Sequence, residues 1–230
     1  MRALYRGVRK YALIAPGDRI LLGLSGGKDS LALLELLGEM RKRLNRSFSI
    51  EAVHVRMSNV EYLSDTDYLA DFSIQHEAGF HVIERSFGPD RKANRTPCFL
   101  CAWHRRKALF DAAQQMGCAK IALGHHRDDI LRTALMNLAF NGSFSTMPVR
   151  LRMRKFPVEM IRPLALIGET DLRLWASVRK YRPVEKQCPY ESASNRTQVE
   201  GVANAFGQLN DGYKQSLWHA LDKSGALVED

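Results

Sequence analysis

Cysteine is scarce in this chain, with four residues in 230. That is too sparse to staple a small secreted domain, so cysteines that fall close together are expected to be metal ligands or redox groups. Long apolar runs are absent too. No segment approaches the roughly 18 uninterrupted apolar residues of a membrane span. Arg2, Arg6, Arg9 and Lys10 lead into an apolar run that Pro16, Gly17, Asp18 and Arg19 cut short of a signal-peptide core. The expectation is a cytoplasmic protein with no membrane contact. Neither internal repeats nor low-complexity segments are evident, which leaves one main domain with a small appendage. Acidic residues are in deficit, 25 against 34 Lys and Arg, for a formal charge of +9. A positive surface concentrates polyanions, and nucleic acid is the leading candidate partner.

What is present alternates. Ile20 to Leu24 is a short apolar run that suits a strand buried on both faces of a parallel sheet. Glycines follow at once, and then Leu31, Leu34, Leu37 and Met40 recur at helical spacing. Further strands are predicted at Ile50 to Val55, Phe80 to Ile83, Ala119 to Leu123 and Glu159 to Leu164, Pro163 confining the last to an edge or a strand end. Helices are predicted over Tyr68 to Ala78, Trp103 to Met116, Asp129 to Phe140 and from a Thr170 N-cap to about Tyr181. Five β-α units imply an α/β fold with a doubly wound parallel sheet, its ligand crevice beyond the carboxyl ends of the strands. Residues 1–183 form the expected catalytic domain, and 184–230 a small C-terminal helical appendage carrying Cys188.

The unusual residues fall at those strand ends. Ser25-Gly-Gly-Lys-Asp-Ser30 follows the first strand. It is not the common P-loop, which needs a glycine where Leu22 stands and a Ser or Thr directly after the lysine, where Asp29 stands. The amides of Ser25 to Ser30 at a helix N-terminus still make a concavity for phosphate oxygens, Lys28 adds charge, and Gly26 and Gly27 permit close backbone approach. After the fourth strand comes Gly124-His-His-Arg-Asp-Asp129, which by itself reads as a polar helix start. Cys98-Phe-Leu-Cys101 is expected in a basic loop after the third strand, its two-residue spacer letting both thiolates face one metal or each other. Cys188 lies far off in sequence, and Cys118 reads as a small core residue. The cysteines leave three readings open: zinc with His104 as a fourth ligand, a catalytic dithiol or persulfide pair, or an iron–sulfur cluster on three thiolates with one iron open.

The Ser-Gly-Gly-Lys-Asp-Ser loop closely resembles that of the PP-loop ATP pyrophosphatases, adenine nucleotide α-hydrolase-like proteins with a Rossmann-like sheet. The resemblance implies cleavage between the α and β phosphates, with adenylation of a substrate and release of pyrophosphate. It also implies that Ser25, Gly26, Gly27, Lys28, Asp29 and Ser30 cradle the pyrophosphate portion of ATP, with Asp29 helping to hold Mg²⁺. The Gly124 to Asp129 element is similar to one that lines nucleotide and target base in the tRNA-modifying branch. There Gly124 would let the adenosine approach, and the Asp pair would assist metal binding or proton transfer.

With Pro97-Cys-Phe-Leu-Cys101, Gly142-Ser-Phe-Ser-Thr-Met-Pro148 and Ile161-Arg-Pro-Leu164, residues 1 to 196 resemble the tRNA 2-thiocytidine synthetase group. That resemblance implies a [4Fe–4S] cluster on Cys98, Cys101 and Cys188, catalytic roles for Lys28, Asp29 and Asp129, and a sulfur donor, either sulfide or a persulfide carrier. ATP would adenylate the 2-oxygen of a cytidine in tRNA, and sulfur would displace AMP. One departure is plain: the group has a C-x-x-C-G element where Cys188-Pro-Tyr-Glu191 offers one cysteine. Arg91, Lys92, Arg95, Arg105, Arg106, Lys107 and the Arg150 to Lys155 alternation are candidate RNA phosphate contacts. A homodimer is an admissible assembly. The competing readings are a lysidine-synthetase-like amidation and a zinc-stabilised, non-catalytic RNA-binding protein.

Overall fold

The computed structural model describes residues 1–58, 65–88, 97–153, 156–182 and 195–229. Cys188, Arg91, Lys92, Arg95, Arg154 and Lys155 fall outside them.

Leucine-rich strand β1 (Arg19–Gly23) lies in the interior of a seven-stranded sheet in the order β3-β2-β1-β4-β6-β5-β7. The chain runs from β1 through α2 (Lys28–Arg43) to β2 (Ser49–Met57), then through α3 (Thr66–Gln75) to β3 (Gly79–Arg85). It then crosses back by α4 (Pro97–Gln115) to place β4 (Lys120–Ala122) on the other side of β1. These pairings are parallel, Leu22 standing opposite Ala52 on one side and Ala122 on the other. The reversal of direction between β1 and β4 opens a crevice at their carboxyl ends.

Both sheet faces are covered, as the continuous apolar strands require. Ile20 and Leu22 pack into a core with Leu31, Leu34 and Leu37 of α2, whereas Leu21, Val53 and Val55 face Ala108, Ala112 and Ala113 of α4. Small residues on α4 let that helix lie close to the strands.

Beyond β4 come α5 (Arg127–Asn141), β5 (Arg150–Arg152), β6 (Glu159–Ile161) and α6 (Glu169–Val178). Strand β6 ends before Pro163 and continues the parallel order next to β4, while β5 pairs with it antiparallel. The C-terminal part holds α7 (Asn195–Leu209) and α8 (Tyr213–Lys223), and it also returns strand β7 (Val228–Glu229) to the sheet beside β5. Helix α1 (Arg2–Lys10), not expected from the sequence, packs Gly7 against Leu166.

Two of the helix starts that differ from expectation bear on the site. Helix α4 starts at Pro97, six residues before Trp103, so Cys98 and Cys101 lie in its first two turns and not in a loop. Proline is well suited to a first helical position, where its missing N–H has no partner to lose. Helix α6 is capped at Gly168 and not at Thr170, because the Asp128 carboxylate accepts the Glu169 N–H at 2.8 Å.

Candidate active site

The Ser25 to Ser30 loop turns between β1 and α2 with Gly26 at a φ of +81°, a left-handed conformation that favours glycine. Gly27 is the N-cap of α2, and the Ser30 hydroxyl donates to its carbonyl at 2.9 Å. The Ser25 and Ser30 hydroxyls are 3.1 Å apart, drawing the loop into a tight arch. Lys28 reaches back over its neighbour, its Nζ 2.9 Å from both Asp29 carboxylate oxygens and 3.7 Å from Glu169 of α6.

Beneath the arch is a cavity of about 320 Å³. Ser25, Asp29 and Ser30 line it from the loop, Gly124, His125 and Asp129 from the β4–α5 junction, His54 from β2, and Arg105 and Leu109 from α4. The loop and the Gly124 to Asp129 element, about a hundred residues apart in sequence, therefore meet at the β1/β4 crevice. Lys28 stands beside this cavity, on Asp29 and Glu169.

Gly124 has a specific steric task. A Cβ there would lie 3.1 Å from the Ser30 nitrogen and 3.2 Å from the Asp29 carbonyl carbon, so the missing side chain lets the first turn of α2 approach β4. The two aspartates diverge. Asp129 lines the cavity, accepts the His126 N–H at 3.2 Å and meets Arg132 at 3.3 Å. Asp128 is buried on the other side, ion-paired with Lys214 of α8 and bonded to the Glu169 N–H. Burial alone would raise the Asp128 pKa, but the Lys214 ammonium and the Glu169 amide together hold it below the usual carboxylate range. Glu169 is likewise depressed, since Arg173 and Lys28 outweigh its own desolvation.

One polar cavity residue, His54, escaped the sequence reading. His54 is almost fully buried, and its Nδ1 lies 2.8 Å from the Leu24 carbonyl. Burial lowers its pKa, so the ring is neutral at pH 7 and Nδ1–H donates to that carbonyl. A histidine flanked by valines in an apolar strand was the available signal. Arg105, one of the candidate RNA contacts, also lines the cavity, whereas Arg106 and Lys107 are exposed. Arg150 is committed to structure, facing Glu159 at 3.7 Å and donating to the Tyr11 carbonyl.

The spacing of Cys98, Cys101, Arg105 and Leu109 places them along one side of α4. Since Arg105 and Leu109 line the cavity, that side leads from the nucleotide crevice to the cysteine pair. Cys98 is exposed and Cys101 half-buried, while Cys118 is buried in the core at the start of β4, where burial raises its thiol pKa. His104 is stacked on Phe87 with ring centroids 5.8 Å apart. Among the described residues no three Cys, His, Asp or Glu side chains converge as a metal cage, so the Cys98, Cys101 and His104 set that zinc would use is not assembled there. Nor is any helix among them long and apolar enough to cross a membrane.

A glycine-built phosphate arch at the switch point of a doubly wound sheet defines a nucleotide-binding α/β protein. More specifically, the chain belongs to the PP-loop family, whose domain matches residues 4–199. It is 32% identical over 227 residues to the tRNA-cytidine(32) 2-sulfurtransferase of Anaeromyxobacter dehalogenans (strain 2CP-C), covering 96% of this chain and 77% of that one. Its identity to the enzyme of the same name from Paracidovorax citrulli (strain AAC00-1) is 33%, over 96% of this chain and 72% of that one. In three dimensions it is similar to the U34-tRNA thiolase NcsA from Methanococcus maripaludis, a structure with its [4Fe–4S] cluster, at a TM-score of 0.77 and 27% identity. That superposition covers 96% of this chain and 77% of the other.

Proposed function

We propose that this protein is an ATP-dependent tRNA sulfurtransferase that adenylates a base, by its relatives the 2-oxygen of a cytidine, and replaces that oxygen with sulfur. The observation that carries this reading is the convergence of the phosphate arch, the Gly124 to Asp129 element and the cysteine-bearing helix on one cavity.

In the first step the cytidine 2-oxygen attacks the α-phosphorus of ATP, and the bond to the β-phosphate breaks. The amides of Ser25, Gly26, Gly27 and Ser30, at the positive end of α2, stabilise the departing pyrophosphate, and Lys28 swings its charge onto it. Asp29 and Asp129 both face the cavity and supply the oxygen donors that Mg²⁺ requires. Neutral His54, its Nδ1–H held by Leu24, lines the same cavity. In the second step sulfur adds at C2 and AMP leaves with the oxygen, so no net redox change is needed when the donor is sulfide.

Cys98 and Cys101, with Cys188 as third thiolate, suit a [4Fe–4S] cluster: the first two are presented together at the start of α4, on the side facing the nucleotide. Held by three thiolates, such a cluster leaves one iron open, which is where incoming sulfur would be carried. The protein's own part is to set the nucleotide cavity and the Cys98–Cys101 pair along one side of the same rigid helix, α4, so that positioning supplies the rate. We place the nucleotide chemistry in residues 1–183, with 184–230 carrying Cys188, and the protein in the cytoplasm with tRNA and a sulfide or persulfide donor as partners. A homodimer is part of the same proposal.

Two measurements test this. Anaerobically purified protein is expected to contain iron and acid-labile sulfide; colourless, iron-free and yet active protein would refute the cluster. Nucleoside mass spectrometry of tRNA from cells lacking the protein is expected to miss one thiolated cytidine, and an unchanged profile would remove tRNA as the substrate.

A further inference from the structure

The exposed side of α4 carries a pattern that the ATP chemistry does not use. Phe99 and Trp103 are spaced four residues apart, and both are exposed large apolar side chains, at 43% and 41%. Lys107 continues the line by another four residues, its Nζ over the Trp103 ring at 5.5 Å from the centroid. Arg106 is exposed beside them and anchored by its Nε to the Ala102 carbonyl at 3.2 Å. The first turn of α4 has no acidic residue, and residues 97–107 contain no Asp or Glu at all. At about 100° per residue the centre of this stripe lies nearly half a turn round the helix from that of Cys98, Cys101 and Arg105. It therefore occupies close to the opposite face of the helix from the cysteine side.

The Trp103 ring is held in place. It meets the His104 ring edge-on at 4.8 Å, and His104 in turn stacks on Phe87. An exposed indole fixed by neighbours loses little freedom when a flat partner stacks on it. A purely apolar partner would not favour the cations interleaved with the two rings. An unpaired nucleobase with its flanking phosphates matches both features, since every base offers a π-face and every linkage a negative charge.

We propose that Phe99, Trp103 and Lys107 form a stacking platform for an unpaired base of the bound RNA outside the cavity, with Lys107 and Arg106 holding the adjoining phosphates. This rests on the tRNA reading above. The platform orients the RNA so that one nucleotide enters the cavity while another unpaired base is held on the far face of the same helix that bears the cysteines. It makes α4 a shared rail for sulfur and substrate.

The test is filter binding of an unmodified tRNA transcript to the anaerobically purified full chain at fixed salt. Trp103→Ala is expected to weaken binding about 5- to 150-fold, the range for loss of one base stack. Trp103→Phe is expected to restore most of the affinity and Trp103→Leu not to. Lys107→Met is expected to reduce the salt slope by about one phosphate contact. Leu174→Ala, at a still more exposed apolar residue on α6, serves as the control and should bind like the unaltered protein. Unaltered tRNA affinity in Trp103→Ala, or equal rescue by Leu and Phe, would overturn the platform. So would a Trp103→Ala protein that binds tRNA normally but fails to accept sulfur from a protein carrier. If the unaltered chain binds ATP but no tRNA, it is the functional reading that fails.

Discussion

Replacing Gly124 by alanine tests whether the approach of α2 to β4 is what builds the phosphate arch. The added Cβ would stand 3.1 Å from the Ser30 nitrogen, 3.2 Å from the Asp29 carbonyl carbon and 3.3 Å from its oxygen, all of them backbone atoms. Backbone cannot rotate aside as the tip of a side chain does, so α2 must shift by a few tenths of an ångström. That shift is resisted, because Leu31, Leu33, Leu34 and Leu37 are fully buried. Overpacking of this kind costs about 1–3 kcal/mol, and in a chain of this size each kilocalorie lowers Tm by about 2–4 °C. Displacement of the Ser25 to Ser30 amides should lower ATP-dependent pyrophosphate release by about tenfold, given that a misplacement of about 1 Å costs roughly a hundredfold. Gly23→Ala is the comparison. Its Cβ would meet only the side-chain ends of Leu109 and Leu123, at 3.2 Å, which can turn away, so a smaller effect is expected. Calorimetric unfolding together with a coupled pyrophosphate assay reads both quantities. If Gly124→Ala unfolds like the unaltered protein and loses only ATP affinity, the steric argument is wrong and the glycine serves the nucleotide directly.

Lys214→Met removes the cation that pairs with buried Asp128; with Lys214 itself more than a third exposed, water screening limits the expected loss to about 1 kcal/mol. The depressed Asp128 pKa contributes stability that is present above the ordinary aspartate range and lost as pH falls through its lowered value, so Lys214→Met should raise the pH of acid unfolding followed by circular dichroism. An unmoved acid transition would show that the Glu169 amide holds Asp128 alone. Burial also lowers the pKa of His54 and His76, and neutral buried histidines give stability that is full above the ordinary value of 6.5 and declines as pH falls below it. Tm should therefore drop between about pH 7 and 5.5, and His76→Phe should flatten the decline; a pH-independent Tm in the unaltered protein would contradict the burial argument. Glu35 is buried in α2 and accepts from Trp175 Nε1 at 3.2 Å and from the Tyr181 hydroxyl, with Arg179 beside it. Glu35→Ala strands these donors and should cost about 2–3 kcal/mol in urea unfolding, while Tyr181→Phe, which keeps the ring and loses one hydrogen bond, should cost less; equal losses would mean that the Tyr181 hydroxyl carries the whole effect and that the Trp175 and Arg179 contacts to Glu35 contribute nothing.

The parts of this protein that could be read from its sequence are those whose chemistry is local. A strand, two glycines and a helix in unbroken succession announce a phosphate arch, because only glycine allows the turn and only a helix start offers the amides. The extent of α4 was not legible in the same way: the basic, polar run before Cys98 reads as loop, and Pro97 discloses a helix start only once α4 is known to reach it. The cap of α6 was hidden more deeply. Local rules favour Thr170, but the Glu169 amide is satisfied by Asp128, 41 positions away, and no window of sequence includes both. Helix α1 was missed for the same reason, its closest support for Gly7 being Leu166 and the Pro163 carbonyl.

The Gly124 to Asp129 motif shows a different limit. Read as a string, its two histidines and two aspartates look like one ligand-binding unit. Folded, they cannot be one, since each step along a helix turns the side chain by about 100°. His125 and Asp129 reach the nucleotide cavity, His126 is buried at the N-cap of α5, and Asp128 turns away to α6 and α8. The same six residues thus line the site, start the helix that bears it and tie both to the C-terminal helices. A substitution at Asp128 and one at Asp129 should therefore fail in different ways, the first through stability and acid sensitivity, the second through pyrophosphate release in a protein that still folds.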